Sequence, residues 1–300
     1  MIATLHHFDE SAAPAQRLAK LLDLTCRPIT VHHFPDGESL VRVGETDRIA
    51  ILYRSLDRPN EKLVELLFAS AALRDRGAAR IVLIAPYLGY MRQDIAFQPG
   101  EAVSQKVVGH LLAAHFDALV TVDPHLHRVA SLSDVAPGIA SVAVSAAATL
   151  ADLLRPDMTP DSILIGPDAE SRPWVESVAE RLGLDVLVGR KRRLGDVEVA
   201  LAIEGIDRVR GRPVVLVDDV ISSGGTLLKC ATLLRAAGAT GIEAIATHCL
   251  ANSHDLQKLA EGGISRVRST DTVAGPTASI SIAPALGAAL HALASGSAFG

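Results

Sequence analysis

The sequence lacks the marks of several protein classes. Its three cysteines, Cys26, Cys230 and Cys249, are scattered and odd in number, so neither a disulfide framework nor a zinc site is expected. No apolar run is long enough to cross a bilayer, and the first ten residues lack the basic and apolar regions of a signal peptide. The net charge of −5 argues against a nucleic-acid surface. We therefore expect a cytoplasmic protein that contacts neither membranes nor nucleic acid.

The chain consists instead of strand-like runs that alternate with helical patterns. With 300 residues, 49% of them hydrophobic, it is long enough for two cores of ordinary size. Apolar runs such as Ile49–Tyr53, Ala118–Val122 and Val199–Ile203 indicate strands, and stretches such as Glu61–Arg76 have helical spacing. Their alternation predicts βαβ units and mostly parallel sheets. Because the alternation recurs in both halves, we predict two doubly wound α/β domains, 1–143 and 144–300. A final helix, Ala285–Ala294, could pack on either domain.

The most informative stretch is VVLVDDVISSGGTLLKCATLLRAA, at 214–237. An apolar strand, Val214–Val217, leads into two carboxylates, Asp218 and Asp219, and then into a small polar loop that opens a helix. The loop residues are Ser222, Ser223, Gly224, Gly225 and Thr226. Such a loop offers a phosphate backbone N–H groups, hydroxyls and the positive end of a helix dipole. Since carboxylates repel phosphate, the two Asp residues fit sugar hydroxyls or Mg²⁺, and the stretch favours a sugar phosphate over an ordinary acidic turn.

Two further loops follow predicted strands in the first half. The residue types of Phe34, Asp36 and Glu38 favour a tight turn, although a phenyl ring beside two carboxylates could also stack on a base. Arg92 and Gln93 could bind a phosphate and a ring nitrogen, or they could belong to a surface salt-bridge loop. Residue types alone therefore make neither loop a binding site.

Three other polar clusters are similarly ambiguous. Asp123, His125 and His127 could bind a metal, but a histidine in a loop is more often only a polar residue. Asp168 ends a predicted strand in the second half, where a Mg²⁺ ligand could stand. The basic run Arg190–Arg193 is usually a solvated patch or a nucleic-acid contact. In an acidic chain it can instead be a mobile clamp on a transferring phosphate.

Taken together, these stretches resemble the ribose-phosphate pyrophosphokinase family over essentially the whole chain. Segment 218–226 is similar to the phosphoribosyl pyrophosphate loop that this family shares with type I phosphoribosyltransferases. The Phe-x-Asp-Gly-Glu loop, the block from Pro86 to Leu112, the Val-Asp-x-His segment and the Lys-x-Arg pair at Lys191 and Arg193 are similar to the pyrophosphokinases. Phosphoribosyltransferases lack the block and the placement of the Lys-x-Arg pair. Five separated motifs in the family's order would rarely arise by chance.

The resemblance implies two domains of the type I phosphoribosyltransferase kind and a reaction between ATP and ribose 5-phosphate. The β,γ-diphosphoryl group of ATP would move to the 1-hydroxyl of the sugar, giving phosphoribosyl pyrophosphate and AMP. The resemblance also implies Mg²⁺ as a cofactor. It implies a homo-oligomer, a dimer or larger, because in the family the Phe-x-Asp-Gly-Glu loop comes from a neighbouring subunit.

The same resemblance implies a role for each candidate residue. ATP would be bound by Phe34, Asp36, Glu38, Arg92, Gln93 and Asp94. Ribose 5-phosphate would be bound by Asp218, Asp219, Ser222, Ser223, Gly224, Gly225 and Thr226. The metal ion would lie near His125 and Asp168. Charge that develops on the transferred group would be neutralised by Lys191 and Arg193.

Three alternatives stay open. A type I phosphoribosyltransferase would consume phosphoribosyl pyrophosphate, but the Arg-Gln-Asp block and the Lys-x-Arg pair argue against it. A non-catalytic regulatory partner of a synthase should have lost catalytic residues, and only Glu170, where the family usually has a small residue, favours it. The third alternative is a related pyrophosphokinase that uses another pentose phosphate as the acceptor.

Overall fold

The chain forms two compact units, Met1–Ser145 with Ser281–Gly300, and Ala146–Ile280. The computed structural model describes residues 2–126, 128–193 and 199–295, and it describes their side chains except at 191–193 and 199–200. Each unit contains its own mostly parallel sheet with accompanying helices, as the sequence predicts. No helix in these described ranges combines the length and the apolar character that a membrane span requires.

The secondary structure alternates between strands and helices along both units. In chain order, the strands are β1 Thr4–His7, β2 Thr25–Pro28, β3 Thr30–His33, β4 Ser39–Arg42, β5 Ile49–Tyr53, β6 Arg80–Ala85, β7 Ala118–Val122, β8 Ala140–Val144, β9 Ile163–Gly166, β10 Asp185–Arg193, β11 Val199–Ile203, β12 Pro213–Ile221, β13 Gly241–Cys249, β14 Val267–Thr270 and β15 Ala278–Ile280. The helices are α1 Ala12–Leu22, α2 Pro59–Asp75, α3 Ser104–His115, α4 Leu132–Val135, α5 Ala147–Leu154, α6 Arg172–Leu182, α7 Gly225–Ala236, α8 Ser253–Glu261 and α9 Ala283–Ser295.

The sheet of the first unit has the strand order β2-β1-β5-β6-β7-β8, and every neighbouring pair is parallel. Its inner strands are buried apolar runs, as expected of a parallel sheet that helices cover. Strands β3 and β4 form a separate antiparallel hairpin. Helix α9, whose packing the sequence left open, belongs to this unit and contacts α1, β7 and β8. The division of the chain into the domains 1–143 and 144–300 stays a prediction.

The sheet of the second unit has the order β11-β10-β9-β12-β13-β14-β15. All neighbouring pairs are parallel except β10 and β11, which form an antiparallel hairpin. In each sheet, the first strand along the chain is an inner strand. The chain then adds strands on one side of it, and the later strands are added on its other side. This doubly wound order places a topological switch point beside β1 in one unit and beside β9 in the other.

Strand β12 is longer than the predicted strand Val214–Val217. It continues to Ile221 because its ladder with β13 extends that far, pairing Asp218 with Ala246 and Ile221 with Cys249. Asp218 and Asp219 therefore lie within the strand and not after it. The backbone of a paired strand holds these carboxylates more firmly than a turn would.

Most other predicted elements are confirmed, and Ile49–Tyr53, Ala118–Val122 and Val199–Ile203 have the predicted bounds. The strands β2, β4, β8 and β15 were not predicted. Three of them lie at sheet edges and the fourth belongs to the separate hairpin. Because such strands are only partly buried, they lack the apolar run that identifies an inner strand.

Gly109 of α3 packs directly against the backbone of α4. A Cβ atom at this position would overlap the carbonyl oxygen of Val135. Alanine otherwise stabilises a helix by about 1 kcal/mol relative to glycine, so the overlap reverses the usual sign. We expect Gly109→Ala to lower the free energy of unfolding by about 1–3 kcal/mol in urea denaturation. Gly241→Ala, where nothing lies within 4 Å of the added atom, is the control, and equal stability of both variants would contradict this packing.

His6 gives the first unit a pH-dependent stability. It is fully buried in β1, and neither ring nitrogen has a hydrogen-bond partner among the described residues. Burial, followed by the charges of Arg27 and His7, lowers the pKa of His6 to about 4. The unfolded chain takes up this proton below about pH 6.5, whereas the folded protein does not. The contribution of neutral His6 to the free energy of unfolding is therefore complete above pH 6.5, and it is lost as the pH falls through 4.

We expect this loss to be on the order of 3 kcal/mol in the free energy of unfolding between pH 7 and pH 4. The His6→Leu variant should lack it. Urea denaturation at pH 7, 5 and 4 measures the difference, with His291→Leu on the exposed side of α9 as the control. The same pH dependence in wild type and His6→Leu would contradict the assignment.

Candidate functional site

The carboxyl ends of β9 and β12 meet at the switch point of the second sheet. The two strands are parallel neighbours, with Ile165 beside Leu216. Asp168 follows β9, and Asp218 and Asp219 lie near the end of β12. The structure thus brings together three carboxylates that are separated by about 50 residues of sequence. Ligands of open α/β sheets bind in the crevice at such a reversal of strand order.

These three carboxylates concentrate negative charge. Burial, followed by the charges of Asp219 and Asp168, raises the pKa of Asp218 well above its ordinary value. The backbone N–H of Asp219 donates to Asp218 Oδ1 at 3.1 Å, and that of Val220 donates to Asp219 Oδ1 at 2.8 Å. Two backbone donors do not remove the mutual repulsion. A cation, or the hydroxyl donors of a sugar, would relieve it.

The polar loop after β12 opens helix α7 next to this cluster. The N-cap of α7 is Gly224, and no side chain caps the helix, whose first N–H groups have no partner within it. Gly224 has a φ of 75°, and a Cβ atom there would lie 2.6 Å from Leu259 Cδ2, so glycine is required. The exposed members of the loop are Ser222, Ser223, Gly225 and Thr226. An uncapped helix N-terminus with neighbouring hydroxyls suits a phosphate group.

Asp168 organises the turn between β9 and α6. Its Oδ1 accepts the backbone N–H groups of Glu170 and Ser171 at 3.0 and 3.2 Å, and the Ser171 hydroxyl donates to its carbonyl oxygen at 2.6 Å. Ser171 is fully buried, whereas Glu170 is exposed. Ser171 is therefore a structural part of this turn, which sequence reasoning missed. A serine three residues after an aspartate, before a helix, is the local signal for it.

The basic run lies on the β10–β11 hairpin. Backbone pairing sets Lys191 opposite Leu201 and Arg193 opposite Val199, and Arg190 is exposed. The side chains of Lys191 and Arg193 lie outside the described part of the structure. Their role in phosphate transfer stays a prediction.

In the first unit, two groups of predicted residues follow β6 and β7, which are parallel neighbours with Ala85 beside Thr121. Arg92 is exposed, and His125 is half-buried. Gln93 is also half-buried, and its Oε1 accepts a hydrogen bond from the Ser104 hydroxyl at 2.9 Å. The start of α3 thus orients Gln93 while Arg92 stays open to solvent.

Asp94 has a different environment from Arg92 and Gln93. Its carboxylate is only 2% exposed and pairs with Arg128 Nη1 at 2.7 Å. This ion pair links the segment after β6 to the segment after β7. Arg128 was not predicted, because a single arginine after an Asp-x-His segment carries no distinct signal. His127, considered as a metal ligand from the sequence, lies outside the described residues.

The predicted loop of Phe34, Asp36 and Glu38 joins the two strands of the separate hairpin. The backbone N–H of Phe34 donates to the carbonyl oxygen of Glu38 at 2.8 Å, and that of Glu38 donates to Asp36 Oδ1 at 3.1 Å. The tight turn that the residue types favour is therefore present. It also leaves the phenyl ring 40% exposed beside two exposed carboxylates, a combination that can accept a planar, hydrogen-bonding ligand.

The carboxylate cluster offers oxygen ligands of the kind that Mg²⁺ prefers. Within the described ranges, no three or more His, Cys, Asp or Glu side chains form a ready metal cage. Mg²⁺ does not need one, because it usually takes one or two carboxylates and completes its octahedron with waters and substrate phosphates. Asp168 and Asp218 lie close enough for their charges to interact. This donor set fits Mg²⁺.

Comparison with known proteins covers both units. Residues 4–115 match the family model of the N-terminal domain of ribose phosphate pyrophosphokinase, and residues 141–279 match the phosphoribosyl transferase domain. The ribose-phosphate pyrophosphokinase of Methanopyrus kandleri is 36% identical over 95% of this chain and 97% of its own length. That of Thermococcus kodakarensis is 34% identical over 93% and 95%.

A solved structure agrees with these relatives. Phosphoribosylpyrophosphate synthetase from Mycobacterium smegmatis is 27% identical, with a TM-score of 0.82, and the match covers 97% of this chain and 98% of that one. The similarity therefore includes both doubly wound sheets and is not limited to the phosphoribosyl transferase domain. The chain belongs to the ribose-phosphate pyrophosphokinase family.

Proposed function

We propose that the protein is a ribose-phosphate diphosphokinase that makes phosphoribosyl pyrophosphate and AMP from ATP and ribose 5-phosphate. The observation that carries the proposal is the uncapped N-terminus of α7 beside the carboxylates at the β9–β12 switch point. The relatives that match almost the whole chain are ribose-phosphate pyrophosphokinases, which argues against a plain phosphoribosyltransferase. In the reaction, the 1-hydroxyl oxygen bonds to the β-phosphorus of ATP. The bond from that phosphorus to the oxygen bridging to the α-phosphate breaks, AMP leaves with this oxygen, and the hydroxyl proton passes to solvent.

Ribose 5-phosphate is assigned to the second unit. The 5-phosphate takes the N–H groups of the first turn of α7, together with the hydroxyls of Ser222, Ser223 and Thr226. Asp218 and Asp219 hold the 2- and 3-hydroxyls of the sugar, either by accepting hydrogen bonds from them or through the metal ion. Gly224 and Gly225 keep the space beside the phosphate clear, and the left-handed backbone of Gly224 sets the entry of the loop into the helix.

ATP is assigned to the first unit and to the hairpin loop. Arg92, exposed in the segment after β6, pairs with phosphate oxygens. Gln93 offers its amide nitrogen because its oxygen already accepts from Ser104. Phe34 stacks on the adenine, and Asp36 and Glu38 accept from its amino group. Asp94 serves this site through Arg128, since its buried carboxylate is already paired.

Mg²⁺ on the second unit is assigned to Asp168, with Asp218 as a further carboxylate. His125, on the first unit, is assigned to the Mg²⁺ that accompanies the nucleotide. When bound, the ion would offset the negative charge of the phosphates and of the carboxylate cluster. Asp168 is held ready for this by the two backbone N–H groups at its Oδ1. The turn is intact although Glu170 follows Asp168 by two residues, so Glu170 does not disturb the position of Asp168.

No residue of the site is an evident covalent nucleophile. The reaction is therefore attributed to positioning and to electrostatic stabilisation, as in other phosphoryl transfers. Lys191 and Arg193 neutralise the charge that develops on the transferred group and on the leaving oxygen. We also propose that the enzyme is a cytoplasmic homo-oligomer. Free thiols at all three cysteines suit a reducing compartment.

The first test is AMP release from ATP, Mg²⁺ and ribose 5-phosphate by wild type, Lys191→Ala and Arg190→Ala. We expect AMP only when the sugar phosphate is present. Lys191→Ala should lower kcat by about 10³-fold, because it removes a charge that stabilises the transition state. Arg190→Ala removes the same charge one residue earlier and should change the rate only a few-fold. If wild type binds ribose 5-phosphate but releases no AMP, the protein is a regulatory partner and the proposed function is wrong.

A pair of threonines on α7 tests the phosphate loop. Thr226 lies in the exposed first turn, whereas the hydroxyl of Thr232 donates to the carbonyl oxygen of Leu228 within the helix. We expect Thr226→Val to raise the KM for ribose 5-phosphate by about 10-fold or more, the effect of losing one hydrogen bond to a charged group. Thr232→Val should leave this KM unchanged. Equal KM values for the two variants in a steady-state assay would remove Thr226 from the site.

A further inference from the structure

The loop of Phe34, Asp36 and Glu38 is flanked by two residues that reach the same buried carboxylate. His33 ends β3 and Ser39 begins β4, and the two are paired across the hairpin. His33 Nε2 lies 3.2 Å from Glu65 Oε1, and the Ser39 hydroxyl donates to the same oxygen at 3.2 Å. One oxygen atom of α2 therefore contacts both strands of the hairpin at the base of the loop.

Glu65 can act as an anchor because its own position is firmly held. It is 3% exposed, and its Oε2 accepts from Arg54 Nη2 at 2.6 Å. Arg54, 5% exposed, also donates to Glu10 at 2.8 Å and to the carbonyl oxygen of Lys62 at 3.0 Å, and it lies 3.7 Å above the Phe8 ring. The guanidinium is thus fixed on several sides, and it fixes the carboxylate in turn.

The hairpin itself needs such an anchor. Strands β3 and β4 pair with each other and, within the described ranges, with no strand of the six-stranded sheet. Five of their eight residues are exposed. An isolated two-stranded hairpin is at best marginally stable in water. Val31 and Val41 pack against the core of the unit, and the contacts of Glu65 add the polar part of the anchorage at the base of the loop.

We propose that Glu65 is a positioning residue for nucleotide binding, because it holds the loop of Phe34, Asp36 and Glu38 through His33 and Ser39. This inference rests on the proposed function, in which that loop binds the adenine of ATP. Both carboxylate oxygens are needed, one for Arg54 and one for the hairpin. A glutamine at this position can accept on one side only, and its NH₂ group then faces either the guanidinium or the hairpin.

The inference predicts a selective kinetic effect. Glu65→Gln should raise the KM for ATP by about 10-fold or more, because the loop is then no longer fixed in the position that presents its adenine contacts. The KM for ribose 5-phosphate should change less than about threefold. Glu61→Gln, an exposed glutamate one turn earlier on α2, is the matched control. Equal increases in both KM values, or no increase, would overturn the inference.

A second variant covers the case in which Glu65→Gln fails to fold. Ser39→Ala removes the hairpin side of the contact and leaves the buried Arg54–Glu65 pair intact. It should raise the KM for ATP alone, by about threefold to 10-fold, as the loss of one hydrogen bond predicts. Ser70→Ala, on the same helix with its hydroxyl bonded to the carbonyl oxygen of Leu67, is its control and should not.

Hydrogen exchange separates this inference from the proposed function, because it needs no activity. The amides of Phe34, Gly37 and Glu38 are hydrogen-bonded within the loop. Their exchange should become faster in Glu65→Gln and Ser39→Ala but not in Glu61→Gln or Ser70→Ala. If wild type releases no AMP, the proposed function fails, yet exchange still decides whether Glu65 holds the loop. Unchanged exchange in both test variants would show that it does not.

Discussion

The common direction of the strands is the constraint on which both units depend. In a parallel sheet, all carboxyl ends lie at one edge, so Asp168 and Asp218 become neighbours although they are distant in sequence. The strand segments behind them are buried and apolar, and the carboxylates lie towards the carboxyl ends of β9 and β12. A helix that follows a strand begins at the same edge. The positive end of α7 is therefore placed beside the carboxylates by topology alone.

The two units use their switch points differently. In the second unit, the position between β9 and β12 holds carboxylates, and burial followed by their mutual repulsion raises the pKa of Asp218. A cation or a polyol would relieve this repulsion. In the first unit, Phe8 follows β1 and Arg54 follows β5, and the Arg54 guanidinium stacks on the Phe8 ring and pairs with Glu65. The charge at this position is therefore already paired within the unit.

The buried Arg54–Glu65 pair also illustrates how a costly interaction is maintained. Two charges removed from water lose several kcal/mol of hydration, and one ion-pair contact seldom offsets this. Arg54 has additional partners in Glu10 and a backbone carbonyl, and Glu65 has them in Ser39 and His33. Because those last two residues belong to the hairpin, the pair adds a polar link to a hairpin that also packs on the core of the first unit through Val31 and Val41.

How far strands could be predicted depended on a continuous apolar run. The inner strand Ile49–Tyr53 and the edge strand Val199–Ile203 have such a run and were predicted with correct bounds, whereas the edge strands β2, β8 and β15 were missed. The loop at 222–226 and the carboxylates before it could be recognised because their residue types and order are unusual for a plain turn. The roles of Arg128 and Glu65 could not be recognised, because a single charged residue forms no sequence pattern and its partner is known only from the fold.

The sequence by itself determined the alternation of strands and helices, the family motifs and the residue types available for a sugar phosphate and a nucleotide. These are local properties, set by side-chain chemistry and by spacing along the chain. Only the tertiary structure decided that Asp218 and Asp219 lie within a strand, that Asp94 is occupied by Arg128, and that Glu65 reaches both sides of the hairpin. Those results depend on the register between strands and on contacts between distant residues, which no local pattern specifies.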